Sequence, residues 1–298
     1  MDEHELAWAA GFFDGDGWAA LSQQKGRLTG QARAQINQSS LDGVPAVLTR
    51  FHDAVGVGRV SGPTIEEGRE PLYRWVASSR TDVRQTGRLI LPWLSGQKRR
   101  QFNAAVGLSL ASTPLASFAW AAGLFDAEGC TSLSDRSSRK GYKAIEASVT
   151  QGGGGPVPEE LARFMECVAI GRVNGPYEQE GANEPVYRWR LHTVDDVRSM
   201  LHVLLPWLGA VKRNQALAAI AVIDRQPTLP RGRVEWGSHK THCIHGHDYA
   251  STRIRPHVGR GVGIQRRDNK QCLQCTREQA RARRIAGDRQ RDGDEATC

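Results

Sequence analysis

The pattern of apolar and polar residues along the chain predicts both helices and strands. Residues 6–16 are apolar nearly all round, which predicts a buried helix. Polar and apolar residues alternate over 31–37, which predicts a strand with one polar face. A second helix is predicted near 44–55, a hairpin around 73–75 and a further helix near 82–94. The predicted order is therefore α-β-β-α-β-β-α.

This order of segments occurs twice. Leu6–Ser22, LAWAAGFFDGDGWAALS, reappears as Phe118–Ser134, FAWAAGLFDAEGCTSLS, at an offset of 112. Three further pairs of matching segments follow at offsets of 113 or 114. Such a constant offset indicates a duplicated unit. We therefore predict a first repeat over 1–112, a second over 113–225, and a separate linker and module over 226–298.

Small residues stand one helical turn apart in both copies of the opening helix, at Ala7 and Gly11 and at Ala119 and Gly123. A glycine inside a helix costs about 1 kcal/mol relative to alanine. A buried helix tolerates this cost where another backbone must come very close. The two opening helices are therefore predicted to pack on each other.

Each opening helix also has a predicted start. Asp2 with Glu5 resembles a capping box, in which an N-cap side chain and an acid three residues later satisfy free backbone N–H groups. In the second copy, Ser112 or Thr113 before Pro114 suggests a cap followed by a proline in the first helical position.

The charge is concentrated at one end of the chain. The 298 residues carry a net charge of +8 and are 39% hydrophobic, enough for a packed core. Residues 226–298 hold 15 Lys and Arg against 8 Asp and Glu, so they contribute +7 and the rest only +1. A basic tail suits a nucleic-acid partner, although a solvated and partly disordered end has the same charge pattern.

Other classes are disfavoured by composition. No apolar run approaches the roughly 18 residues of a membrane span. The acidic start, Met1–Glu5, is unlike the basic start of a signal peptide, so a cytoplasmic protein with no membrane partner is expected. The six cysteines are too few and too irregularly spaced for a disulfide scaffold.

The opening helices carry a recognisable motif. AAGFFDGDG at Ala9–Gly17 and AAGLFDAEG at Ala121–Gly129 resemble the LAGLIDADG motif of homing endonucleases, apart from alanine in place of the leading leucine. The resemblance extends over about 225 residues. It implies an α+β fold, in which two pseudo-symmetric αββαββα repeats form a DNA-binding saddle around the packed motif helices. It also implies a monomer in solution that binds double-stranded DNA.

The resemblance assigns catalytic residues. The last acids of the motifs, Asp16 and Glu128, would lie beside the scissile phosphates and hold catalytic Mg²⁺, whose preferred ligands are hard oxygens. Two lysines would stabilise developing charge, and two glutamines would order water in the active site. These residues are Lys98, Lys212, Gln38 and Gln151. Asp14 and Asp126 are interpreted as structural, and Trp93 and Trp207 as core residues.

The polar strand faces are predicted to read the major groove, because arginine and glutamine hydrogen-bond bidentately to guanine and adenine. The predicted readers are Ser22, Gln24, Gln31, Arg33 and Gln35 in the first repeat and Ser134, Arg136, Glu146 and Ser148 in the second. Since the two sets differ, the target should be pseudo-palindromic at best. Arg74 and Arg188 are candidates for phosphate contacts, or are merely solvated.

The tail contains a possible metal site. Cys243 and His247, followed after 24 residues by Cys272 and Cys275, form a C-x₃-H…C-x₂-C pattern suited to structural Zn²⁺. His245 competes with His247 as the fourth ligand. The segment resembles zinc modules appended to phage and mobile-element nucleases, and the alternative is unmetallated cysteines in a disordered tail. The basic run that follows Cys275 is a candidate helix for phosphate contacts.

We therefore predict a site-specific, metal-dependent double-strand DNA endonuclease. One alternative is a relative that has lost cleavage and acts as a DNA-binding regulator or RNA maturase. Such relatives typically lack the motif acids, whereas Asp16 and Glu128 are both present here. Another alternative is a strand-nicking enzyme with one weakened half.

Overall fold

The computed structural model divides into two units, residues 1–227 and 228–298. All of the residues whose structure can be described lie in the first unit, and they are 2–22, 30–109, 112–134, 143–178 and 184–225.

The first repeat contains four helices and four strands. In chain order they are α1 (Glu3–Asp16), β1 (Gly17–Ser22), β2 (Gln31–Ser39), α2 (Ala46–Val55), β3 (Arg59–Thr64), β4 (Leu72–Ala77), α3 (Arg80–Ile90) and α4 (Gly96–Val106). The strands form an antiparallel sheet in the order β1-β2-β4-β3.

The second repeat has the same elements in the same order. They are α5 (Phe118–Glu128), β5 (Gly129–Ser134), β6 (Ala144–Gly152), α6 (Glu159–Val168), β7 (Arg172–Tyr177), β8 (Val186–Leu191), α7 (Val194–Leu204) and α8 (Ala210–Arg225). Its sheet is antiparallel with the order β5-β6-β8-β7. The predicted α+β duplication is therefore confirmed, whereas the predicted boundaries at 112 and 225 stay predictions.

Each repeat has one helix more than the sequence predicts. The helix expected over 82–94 ends at Ile90, and after a turn at Leu91–Trp93 a separate helix, α4, begins at Gly96. Pro92 has no N–H with which to continue the helical hydrogen bonds, so α3 ends before it and this turn separates the two helices. α8 occupies the matching place in the second repeat.

The helix starts differ in part from the prediction. Asp2 caps α1 as expected, because its side chain accepts a hydrogen bond from the His4 N–H. Glu5, however, forms an ion pair with Arg50. The predicted cap at Ser112 or Thr113 is wrong, because α5 begins at Phe118 and Ser117 accepts from the Trp120 N–H.

Each sheet packs one face against its own helices. In the first repeat, Ala34 and Ile36 of β2 are fully buried, and Trp75 of β4 meets Phe51 of α2 edge to face, with ring centroids 4.7 Å apart. Phe164 and Trp189 repeat this contact in the second half at 4.8 Å. Since β1–β4 and β5–β8 are antiparallel sheets with one face on the core, their other faces carry the polar residues. None of the helices described here is long and apolar enough to cross a membrane.

α1 and α5 pack on each other with their backbones in close approach, as the small residues predict. A Cβ atom placed on Gly11 would lie 1.9 Å from the carbonyl oxygen of Trp120. A Cβ atom on Gly123 would lie 2.0 Å from the carbonyl oxygen of Trp8. At both positions the neighbouring atoms belong to the main chain, so no side-chain rotation could make space for a methyl group.

Gly11→Ala and Gly123→Ala should therefore each separate the two helices. We expect each substitution to lower the free energy of unfolding by at least about 2 kcal/mol, because overpacking against a backbone forces helix displacement. Urea-induced unfolding followed by circular dichroism measures this change. Gly154→Ala is the matched control, since no atom lies within 4 Å of its added Cβ. A Gly11→Ala protein as stable as the control would contradict the close packing.

Candidate active site

Two carboxylates lie together where the packed helices end. α1 ends at Asp16 and α5 at Glu128. The ends touch, because a Cβ atom on Gly15 would lie 3.0 Å from Cγ of Glu128. Burial and, after it, the charge of Asp16 raise the pKa of Glu128 to about 7. The two acids therefore share one partly dehydrated site.

Two lysines complete this site from the helices that the sequence did not predict. Nζ of Lys98, on α4, donates to the carbonyl oxygen of Gly17 at 2.5 Å, and Nζ of Lys212, on α8, donates to that of Gly129 at 2.6 Å. Burial raises the pKa of Asp16 to about 6, while the charge of Lys98, the amide of Gln38 and the charge of Lys212 oppose the rise. Each lysine therefore lies near the acid pair.

The glutamines occupy matching places at the ends of the inner strands. Nε2 of Gln38 donates to Oδ2 of Asp16 at 2.6 Å. Gln151 lowers the pKa of Glu128, although its buried Nε2 atom has no hydrogen-bond partner among the described residues. The six residues predicted from the resemblance are thus brought together in two matching sets, one at the base of each helix, and their catalytic roles stay predictions.

Asp14 and Asp126 lie two residues before Asp16 and Glu128 and have a different role, which confirms their interpretation as structural. Nε1 of Trp8 donates to Asp126 at 2.8 Å, and Nε1 of Trp120 donates to Asp14 at 2.9 Å. Each bond crosses from one motif helix to the other. Burial raises the pKa of both Asp14 and Asp126. These crossed bonds stabilise the helix pair just above Asp16 and Glu128.

The two crossed bonds have unequal surroundings. Asp14 also accepts hydrogen bonds from the N–H and the hydroxyl of Ser95. Asp126 has only the N–H of Gly209 as a second donor, and its Oδ1 atom lacks a partner in the described part of the chain. Gly209 stands at the place of Ser95, so the missing hydroxyl accounts for the difference.

Two arginines link the repeats above the helices. Arg50 lies over the Trp8 ring at 3.9 Å from its centroid and donates to the carbonyl oxygen of Trp207 in the other repeat. Arg163 lies at the same distance over Trp120 and donates to the carbonyl oxygen of Trp93. Trp93 is buried as predicted. Trp207 is only partly buried, because its ring packs against His4 near the surface.

The outer face of the first sheet holds most of the predicted DNA-reading residues that can be described. Ser22 and Arg33 are exposed, and Gln31 is partly exposed. Gln35 lies on this face but is only 7% exposed, and its Nε2 donates to Oδ1 of Asn37 at 2.5 Å. Gln35 is therefore less accessible to a base than the alternating pattern suggests. Gln24 lies outside the described residues.

The outer face of the second sheet carries Ser134, Ser148 and Glu146, all partly exposed. Glu146 lies 3.6 Å from Arg190 and 3.4 Å from His192, two partners that the sequence analysis did not identify. Both arginines considered for phosphate contacts are half-buried: Arg74 donates to Thr64 and Arg188 to Thr150. Arg136 lies outside the described residues.

The donor atoms at the helix ends fit a hard cation. The carboxylates of Asp16 and Glu128 adjoin the carbonyl oxygens of Gly17 and Gly129, and oxygen ligands of this kind suit Mg²⁺. The helix ends supply two carboxylates, and among the described residues no group of three or more His, Cys, Asp or Glu side chains that could hold a metal ion occurs there or elsewhere. The predicted zinc ligands, Cys243, His247, Cys272 and Cys275, lie outside the described residues.

Solved structures resemble this fold. The LAGLIDADG homing endonuclease I-GzeII, in complex with its DNA target, aligns with a TM-score of 0.50 and 14% identity over 74% of this chain and 89% of that chain. The LAGLIDADG meganuclease I-AabMI, bound to uncleaved DNA, aligns with a TM-score of 0.54 and 18% identity over 74% and 90%. No protein-family model matches the sequence, and no curated protein does. The chain thus has the two-repeat fold of these proteins.

The unequal surroundings of the crossed tryptophan–aspartate bonds yield a prediction. Trp8→Phe keeps an aromatic ring but removes the Nε1 donor, leaving Asp126 with one hydrogen bond. We expect a loss of about 1–3 kcal/mol in unfolding free energy, the cost of an unsatisfied buried group. Trp120→Phe should cost less, because Asp14 keeps its bonds to Ser95. Urea unfolding of both variants checks the order, and a larger loss for Trp120→Phe would contradict it.

Proposed function

We propose that this protein is a site-specific DNA endonuclease that cuts both strands of a long, pseudo-palindromic target. The observation that carries the proposal is the matched pair of sites at the helix ends, each with one carboxylate, one lysine and one glutamine. A single chain with two such sites offers one for each strand, and its pseudo-two-fold relation matches the approximate symmetry of a duplex.

The residues of each site have complementary tasks. Asp16 and Glu128, with the adjoining carbonyl oxygens, would hold Mg²⁺, which supplies an activated water and stabilises the leaving oxygen. Lys98 and Lys212 supply positive charge where negative charge develops on the phosphate. Gln38 orients Asp16 through its hydrogen bond, and Gln38 and Gln151 order the attacking water. Each task is performed at the base of α1 or α5, and the backbone contact between these two helices sets their positions.

The two outer sheet faces supply the DNA-binding surface. They carry Arg33, Arg59 and Arg74 in the first repeat and Arg172, Arg188 and Arg190 in the second, and the register of the strands places these side chains on the faces turned away from the core. An arginine-rich face with little acid suits a polyanion. DNA is bound in the solved structures of I-GzeII and I-AabMI, which share this fold.

The acids argue against a protein that only binds nucleic acid. Burial of Asp16 and Glu128 raises the pKa of both groups, so their ionised forms cost folding free energy. A DNA-binding regulator or an RNA maturase has no need of two dehydrated carboxylates beside two lysines. A metal-dependent nuclease does need them, because perturbed groups of this kind are characteristic of catalytic sites.

For the tail, we propose a structural zinc site formed by Cys243, His247, Cys272 and Cys275, separate from the catalytic metals. Thiolate and imidazole are donors that Zn²⁺ prefers, while the paired carboxylates favour Mg²⁺. The tail would add affinity for DNA through its charge of +7.

Asp16→Asn and Glu128→Gln should each abolish double-strand cleavage, because each removes the metal-binding carboxylate of one site. We expect linear product from a supercoiled target plasmid in Mg²⁺ to form at least about 100-fold more slowly, a loss of a few kcal/mol of transition-state stabilisation. DNA affinity should stay within about threefold of wild type, since neither acid attracts DNA. Asp53→Asn is the control, because this acid is exposed on α2. Linear product at the wild-type rate from either variant would refute the assignment.

Removal of residues 226–298 should weaken DNA binding and flatten its salt dependence, because fewer counterions are released. Cleavage at saturating protein should persist, since every proposed catalytic residue precedes the deletion. Binding titrations from low to moderate salt measure the slope, and metal analysis of the full chain and the truncated chain under reducing conditions measures zinc. We expect one equivalent in the full chain and none after truncation. An unchanged slope would remove the tail from the DNA interface, and equal zinc contents would exclude the proposed ligands.

A further inference from the structure

Three arginines crowd the outer face of the second sheet. The register places Arg172 of β7 directly opposite Arg190 of β8, and Arg188 lies two residues before Arg190 on the same strand face. Like charges directly opposite each other on a sheet are destabilising. Within the described part of this face, Glu146 is the acid that lies against them. The cluster therefore favours an anionic partner on the surface that the proposed function assigns to DNA.

The carboxylate of Glu146 has a basic side chain beside each oxygen. Oε1 lies 3.6 Å from Nε of Arg190, and Oε2 lies 3.4 Å from Nδ1 of His192. A carboxylate with Arg190 and His192 beside its two oxygens is poorly placed to accept a hydrogen bond from a base.

Arg190, in contrast, is held at only one edge. Glu146 lies beside its Nε atom, and this atom is buried. Among the described residues, no hydrogen bond engages the two terminal amino groups of Arg190. These groups form the flat, two-donor end that matches O6 and N7 of guanine in the major groove. Ion pairing at Nε restrains the side chain while leaving this end available.

The first repeat has a different arrangement at the same positions. Val76 stands at the place of Arg190, with Gln35 opposite it as Ser148 is opposite Arg190. Arg33 stands at the place of Glu146. At these matched positions, the first repeat has its arginine on β2, whereas the second has it on β8, one strand further from the first strand of the sheet. The two repeats present arginine to different base pairs of their half-sites.

We propose that Arg190 reads a guanine in the half-site bound by the second repeat, and that Glu146 is a positioning residue for Arg190. This assignment rests on the proposed function only in so far as the outer faces bind DNA. It replaces the prediction that Glu146 itself contacts a base. β8 is the second strand away from β5, which begins next to Glu128, so Arg190 lies about 10 Å to the side of that strand.

Selection of binding sites from a random duplex library tests this proposal, with Ca²⁺ in place of Mg²⁺ to prevent cleavage. Wild type should select guanine at one position of its site. Arg190→Met should lose this preference, with discrimination against the other bases reduced there by about five- to 150-fold. Arg190→Lys keeps the charge but not the two-donor end, so it should keep overall affinity and lose the same preference. Glu146→Gln should weaken preference at that same position, and adding it to Arg190→Met should have no further effect there.

Arg198→Met is the matched control, because this arginine is also ion-paired, with Asp224 at 2.7 Å, but lies on α7 away from the sheet face. Its selected site should equal that of wild type. A uniform loss of affinity in Arg190→Met with every base preference intact would make Arg190 a phosphate contact and overturn the proposal. A changed preference at a different position in Glu146→Gln would overturn the positioning role. A wild-type protein that selects the site but does not cut it in Mg²⁺ would refute the endonuclease and leave Arg190 as a base reader.

Discussion

The backbone contact between the two motif helices is the constraint on which the rest of the structure depends. Gly11 and Gly123 allow each helix to approach a carbonyl oxygen of the other, where even a methyl group has no space. Since the acids are the last residues of the same helices, their separation is set by main chain and not by side-chain rotamers. The sheets begin at the next residue in each repeat, so this contact also determines how the two polar faces are placed around the acids. Preorganisation of this kind is what a metal-dependent phosphodiester cleavage requires.

Around this contact, the two repeats are alike where they form the scaffold and unlike where they face outward. The lysine–carbonyl bonds and the crossed tryptophan–aspartate bonds occur in both repeats with nearly equal distances. On the outer faces, an arginine in one repeat stands where the other has a glutamate, as at Arg33 and Glu146. A symmetric scaffold with asymmetric reading faces can place two equivalent sites on a duplex whose half-sites differ in sequence. Duplication of a gene segment followed by divergence of surface residues would produce this division.

The sequence was informative where a local pattern reflects a packing need. All-round apolar character predicted the buried helices, and small residues one turn apart predicted their contact. The motif placed Asp16 and Glu128. α4 and α8 were missed because α4 begins at a glycine and buries Lys98, while α8 exposes Val211 and Leu217, so neither has a strong apolar period. The partner of Trp8 lies 118 residues away, and no local pattern reports such a bond. Gln35 shows the limit of alternation, which predicts the face of a side chain but not what covers it.

We propose that the two adjacent acids, Asp16 and Glu128, each support cleavage of one strand of the same duplex. Mapping both cut positions on a cleaved target tests this proposal most directly. Because the acids lie together at touching helix ends, we expect the two phosphates on which they act to face each other across the minor groove, which is about 6 Å wide. End-sequencing of plasmid cleaved by the wild-type protein in Mg²⁺ should therefore find one cut in each strand, with the two cuts staggered by a few base pairs. Cuts separated by more than about one helical turn, roughly 10 base pairs, or a cut confined to one strand would contradict the account.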